Sequence, residues 1–113
     1  MLKIYKERLE KQKEYIKIAT EYVKNLSKTI AVKKAYIIGS VARGDFNEAS
    51  DIDVLIIAEN IPKHPLKRLY FLYESVPPNV EPKAYTEEEY KKLLKNGNPM
   101  AIEAESIGIK IFP

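Results

Sequence analysis

Apolar residues recur along the start of the chain at alternating steps of three and four: Leu2, Tyr5, Leu9, Ile16, Ala19, Val23, Leu26 and Ile30. That spacing lays one apolar stripe along a helix. Lys, Glu and Arg fill the gaps, Tyr15, Ile18 and Tyr22 add a second stripe, and Gln12 is the one polar interruption. The pattern predicts a long helix over residues 1–30, packed on its own domain. It stops after about four heptads, which argues against an extended coiled coil.

The period then changes. Ala35-Tyr36-Ile37-Ile38 reads as a strand over 34–39 that ends in Gly39-Ser40. A turn region covers 40–50, and Asp51-Ile52-Asp53-Val54-Leu55-Ile56-Ile57-Ala58 is a second strand. Pro62 and Pro65 bracket a loop, and Leu66–Ser75 has helical spacing until Pro77-Pro78-Asn79 breaks it. Val80–Tyr85 alternates as a third strand. Thr86 with Glu89 three residues on is a capping-box pattern, and the helix it starts runs to about Lys95 before Asn96-Gly97. Pro99 opens a short helix to about Ser106, and Ile107, Ile109 and Ile111 form a last short strand. This order predicts an α/β (α+β) fold: a small mixed β-sheet flanked by helices, with residues 1–113 as a single domain.

Composition narrows the classes. The chain is 45% hydrophobic and 31% charged, which excludes disorder. Its longest apolar run, Val54–Ala58, is far short of the roughly 20 residues that span a bilayer. The charged N-terminus lacks a signal-peptide core, so a soluble, cytoplasmic protein is expected. There is no Cys, which removes disulfides, thiolate nucleophiles and Cys-ligated zinc together. The net charge of +3 is spread among alternating Lys and Glu, a solvated surface rather than a nucleic-acid face. The only His, His64, stands in a loop and cannot build a metal site alone. The eight Tyr mostly fall on amphipathic helices, more than a small core needs, which leaves some to line a partner surface.

Candidate chemistry concentrates in residues 35–57. Asp51 and Asp53 lie two apart at the head of a strand, where period two puts both carboxylates on one face. Charges that close repel unless a cation sits between them, and hard oxygen donors suit Mg²⁺ or Mn²⁺. Gly39 lets backbone approach a ligand, and Ser40 is placed to cap a one-turn helix, Val41–Arg43, that Gly44 ends. Amides at such a turn bind phosphate, with Arg43 adding charge. Taken singly, each half also fits a bland reading: a solvated acid pair, or an ordinary strand-to-helix turn. Together they suit a nucleoside triphosphate held by its phosphates and its metal.

Gly39-Ser40, about ten intervening residues and then Asp51-Ile52-Asp53 resemble the motif of nucleotidyltransferases of the DNA polymerase β superfamily. Ala42-Arg43-Gly44 and Ser50 match common accessory positions. The chain is most similar to minimal nucleotidyltransferases, and the element order agrees over most of its length. The resemblance implies transfer of NMP, AMP in particular, from ATP or another NTP, with Mg²⁺ or Mn²⁺ as cofactor. Gly39, Ser40, Arg43 and Ser50 would then bind nucleotide and Asp51 and Asp53 would bind metal. The family takes a third carboxylate from a later strand. Glu81 fits that role, with Lys83 and Tyr85 on its face and Glu103 and Glu105 in reserve, although Pro82 restricts pairing to an edge or strand end. Similar proteins pair with a small helical HEPN protein as its antitoxin, some by adenylylating a tyrosine on it. The chain ends about where the fold ends, so an acceptor site is expected to need another chain, including a second copy in a homo-oligomer. Two alternatives stay open: a binding module that neutralises its partner by occlusion, and a transferase acting on RNA or a small molecule.

Overall fold

A computed structural model describes residues 2–113. The elements in chain order are α1 (Leu2–Leu26), β1 (Ala31–Ile38), α2 (Gly39–Arg43), β2 (Ile52–Glu59), α3 (Pro65–Tyr73), β3 (Val80–Tyr85), α4 (Glu87–Lys95), α5 (Pro99–Ser106) and β4 (Ile109–Phe112). The strands form one sheet in the order β3-β2-β1-β4. β1 pairs antiparallel with both β2 and β4, while β2 and β3 are parallel, so the sheet is mixed as expected.

Helices cover both faces. Ala19, Tyr22, Val23 and Leu26 of α1 and Leu72 of α3 pack on Ala35, Ile37, Val54, Ile56 and Ala84. Tyr90 of α4 and Ala101 and Ala104 of α5 pack on Tyr36, Ile38, Leu55 and Ile57. β2 lies in the middle of the sheet and contributes to both layers, which explains its unbroken apolar run. β3 is an edge strand, the setting Pro82 requires.

Several element boundaries differ from the sequence expectation. α1 ends at Leu26, and β1 begins at Ala31, earlier than residue 34. Only the second half of α1 is buried. Leu2, Ile4, Tyr5 and Leu9 are exposed, so the first turns of the stripe project beyond the sheet instead of packing on the domain. Ile107 ends α5 and does not belong to the last strand.

A polar network ties the α3 and α4 layers across the end of β3. The Thr86 hydroxyl accepts from the Glu89 amide at 3.1 Å, and the Glu89 carboxylate accepts from the Thr86 amide at 2.8 Å, completing the predicted capping box. Arg68 donates to the Pro62 carbonyl at 2.8 Å, the Ala84 carbonyl at 3.2 Å and Glu89 at 2.8 Å. Burial alone would raise the Glu89 carboxyl, but Arg68 and the Thr86 amide outweigh it and hold it below the usual carboxylate range.

Arg68→Ala should therefore destabilise the fold by on the order of 2 kcal/mol, because two carbonyls and a carboxylate lose their donor. A depressed carboxyl contributes stability that is present above its ordinary pKa and lost as pH falls through the folded value. Glu89→Gln should accordingly lose less stability than wild type on acidification from about pH 6 to pH 3. Urea midpoints across that range test both, and parallel wild-type and Glu89→Gln profiles would remove the ion pair from the account.

Candidate active site

The end of β1 meets the start of β2 at one register position, where Ile38 pairs with Asp53. The next residue, Gly39, turns through φ +75° into α2. A Cβ on Gly39 would stand 2.5 Å from Asp53 Oδ2. Both the conformation and the space demand glycine. Main chain and carboxylate thus share a position that any side chain would fill.

Parallel pairing places Glu81 of β3 directly beside Asp53. Asp53, Glu81, Lys83 and Gly39 line a hollow of about 270 Å³, walled by Ile38, Val54, Pro99 and Met100 and closed on one side by Glu103 of α5. Burial, then the charge of Glu81, push the Asp53 carboxyl above its usual range; Lys83 opposes this, while Asp51 and Glu103 add to it. Asp51 is exposed and lies just before β2. Tyr73, at the end of α3, has its phenol pushed up by burial and by Glu81 and Asp51, which sets α3 beside the same acids.

A larger hollow of about 440 Å³ lies between the start of α1 and the loop Phe46-Asn47-Glu48. Its charges, Glu7, Arg8, Lys11 and Glu48, are of mixed sign, and the acids of the Asp-x-Asp pair lie elsewhere. The candidate chemistry belongs to the smaller hollow.

α2 is anchored from three sides. Val41 is fully buried. Gln12 of α1 donates to the Val41 carbonyl at 2.8 Å, and Arg8 donates to the Gly44 carbonyl at 3.3 Å. Phe46 packs edge-on against Tyr15 with ring centroids 5.5 Å apart. Gly44 ends the turn in the left-handed conformation at φ +85°, as its place in the sequence predicted.

The comparisons with known proteins agree with this geometry. The model of the nucleotidyltransferase domain family matches residues 16–104. The chain belongs to that family. Residues 16–104 therefore form a nucleotidyltransferase domain. A crystal structure of a "putative nucleotidyltransferase" from Sulfolobus solfataricus is similar at 30% identity and a TM-score of 0.66, over 75% of this chain and 78% of that one. A Methanocaldococcus jannaschii protein named "putative protein adenylyltransferase" is 41% identical over 51 residues, 43% of this chain and 52% of that protein. The matched segment thus spans about half the length of that curated relative.

Not every expected residue of the nucleotidyltransferase keeps its expected place. Ser40 does not cap α2. Ile38 occupies the cap position and offers no side-chain acceptor, and Ser40 lies inside the turn, where its carbonyl accepts from Gly44 at 2.9 Å. The helix starts two residues earlier than predicted because Gly39 itself takes up the bend. The Ser50 hydroxyl accepts from the Asn47 amide at 3.0 Å, a contact within the loop, and Ser50 does not line the hollow. Arg43 pairs with Asp45 at 3.3 Å and with Glu103 at 3.4 Å. Glu105 is exposed, accepts from the Tyr90 hydroxyl at 2.7 Å and does not line the hollow. Two contributions escaped the sequence reading. Gln12 was visible only as a polar break in an apolar stripe, and Glu103, held in reserve as a third carboxylate, instead accepts from the Gly39 amide and faces Arg43.

The donor set suits a divalent cation: hard carboxylate oxygens that repel one another, beside a close-approach glycine. Among the described residues no three such groups already converge as a ready-made metal cage. Asp51, Asp53 and Glu81 would have to draw together around an incoming ion.

Because the Asp53 carboxyl is raised in the fold, its charged form opposes folding at neutral pH, and the opposition is relieved as pH falls through the folded value. Asp53→Asn should match or exceed wild type in Tm at pH 7, with the difference shrinking towards about pH 4. A large Tm loss at neutral pH would make Asp53 a structural residue. Gly39→Ala should cost on the order of 1–2 kcal/mol from its left-handed backbone alone, before any displacement of Asp53. A Gly39→Ala melt coincident with wild type would contradict the close approach.

Proposed function

We propose that this nucleotidyltransferase transfers a nucleotide, AMP from ATP, to a hydroxyl on a protein partner. The observation that carries the reading is the Gly39 backbone set against the Asp53 carboxylate, with Glu81 as its cross-strand neighbour. Gly39 and Ser40 would hold the terminal phosphates, with Arg43 as the nearby cation. Asp51, Asp53 and Glu81 would hold Mg²⁺ or Mn²⁺. Bound there, the metal would neutralise the triphosphate and ease deprotonation of the acceptor hydroxyl. The acceptor oxygen forms a bond to the α-phosphorus as the bond to pyrophosphate breaks, and Glu81 takes up the acceptor proton.

Support for a protein acceptor comes from the name of the Methanocaldococcus jannaschii relative. The site supports it too, being an open hollow of about 270 Å³ at the strand ends, which a macromolecule can reach and a small substrate would fill poorly. The partner of this reading is a small helical HEPN-type toxin, with the enzyme as its antitoxin. Soluble, cytoplasmic action is consistent with this; no helix among the described residues is long and apolar enough to cross a membrane.

The deciding experiment is a labelled-triphosphate competition among the protein encoded beside this one, tRNA, single-stranded RNA and aminoglycosides, with and without Mg²⁺. Label should go to the protein only with metal, Asp53→Asn should be blank, and Glu81→Gln should lose transfer on the order of a hundredfold or more while still binding nucleotide. Metal-dependent labelling of RNA or a small molecule, with the protein unmodified, would overturn the protein acceptor. Neutralisation of the partner by the Asp53→Asn variant at full strength would favour occlusion instead.

A further inference from the structure

Glu103 stands where the proposed function has no use for a carboxylate. It projects from α5 into the hollow, three-quarters buried, and its Oε1 accepts from the Gly39 amide. The same oxygen lies 3.4 Å from Arg43 Nη1. One anionic oxygen therefore engages a backbone N–H and a guanidinium, the pair of donors that the reading above assigns to a phosphate oxygen. The contact is long-range, between residues 64 apart in sequence, so it is made by the docking of α5 and not by local chain geometry.

Stability of the empty site does not explain a fourth acid here. Asp53 and Glu81 already line the hollow, with Lys83 as their one cationic neighbour on its wall. A further carboxylate adds repulsion to both, and only its two donors hold it in place. Those donors cannot serve Glu103 and a triphosphate at once. A ligand that takes the Gly39 amide must first release Glu103, and Glu103 is free to leave because its side chain is held by nothing else among the described contacts.

We propose that Glu103 is an internal competitor for the anion position, a latch that closes the nucleotide site on itself until a metal-bound triphosphate displaces it. The inference rests on the nucleotide reading of the hollow and deepens it. Apparent affinity falls by the fraction of molecules whose latch is open, so a latch closed about nine times in ten weakens binding roughly tenfold. Removing the carboxylate should then strengthen binding, the opposite of what removing a metal ligand or a phosphate contact does.

Calorimetric titration of wild type, Glu103→Gln and Glu103→Ala with the magnesium complex of α,β-methylene-ATP tests this, with Glu88→Gln as a charge control from the other end of the sheet. Melting curves first establish that each protein is folded. Glutamine keeps the shape of the side chain, so that variant decides the matter where alanine fails to fold. Both variants should bind roughly tenfold tighter than wild type, and Glu88→Gln should bind as wild type does. Equal or weaker binding in Glu103→Gln, with wild type binding normally, would overturn the latch and leave the nucleotide site standing. Tighter binding matched by Glu88→Gln would reduce the effect to net charge and also overturn it. If folded wild type and both variants bind no magnesium nucleotide at millimolar concentration, the nucleotide reading itself falls, and the latch with it.

Discussion

The pairing of Ile38 with Asp53 is the constraint on which the site depends. It brings the last residue of one strand level with a carboxylate on the next, so the chain must leave β1 through a residue with no side chain. Gly39 satisfies that condition and also the positive φ of the turn. Once the chain turns there, α2 lies where Val41 can enter the core and where Gln12 and Arg8 can reach its carbonyls. On the other side, the parallel register of β2 and β3 aligns Glu81 with Asp53 without any loop being involved. A shift of one residue in either pairing would move Asp53 into an apolar layer or part it from its neighbours.

β2 explains why the acids gather at a strand mouth. Its residues from Val54 to Ala58 are buried on both faces of the sheet, leaving no place for a charge along most of its length. Asp53 is the first position where the covering helices thin out, and even there burial raises its carboxyl. The two core layers hold the backbone firmly enough to keep like charges side by side. Sites built on packed strands keep their geometry better than sites on loops, and Asp53 and Glu81 sit on strands while Glu103 sits on a helix.

Much of this was legible in the sequence because it follows from short-range rules. Alternation along Val80–Tyr85 put Glu81 and Lys83 on one face and Pro82 on an edge strand, and the hollow contains both. The capping box at Thr86 and Glu89 formed as its spacing predicts. What was missed depends on tertiary packing. Ser40 follows a glycine at a strand end, a common prelude to a cap, yet the cap fell two residues earlier, with the turn at Gly39, where Asp53 leaves no room for a side chain. Leu2, Tyr5 and Leu9 carry the helical period as well as Val23 does, but periodicity reports a face and not whether anything covers it. Glu103 could be named as a reserve carboxylate, but its contact was not legible, since its partner is a backbone amide across the fold.

The same geometry sets stability and binding against each other. In the fold as it stands, the Gly39 amide and Arg43 are satisfied by Glu103, and Lys83 tempers the charge of Asp53. The local balance therefore remains negative, with Asp51, Asp53, Glu81 and Glu103 facing Lys83 and Arg43. A metal cation relieves that excess, whereas a bare polyanion increases it, so the charge arrangement by itself favours a ligand that brings both. The carboxylates that make the empty protein less stable are then the ones that give the substrate complex its attraction. Selection for a stable empty fold would remove them, and their presence in an otherwise well-packed sheet is the physical mark of a site kept for its ligand.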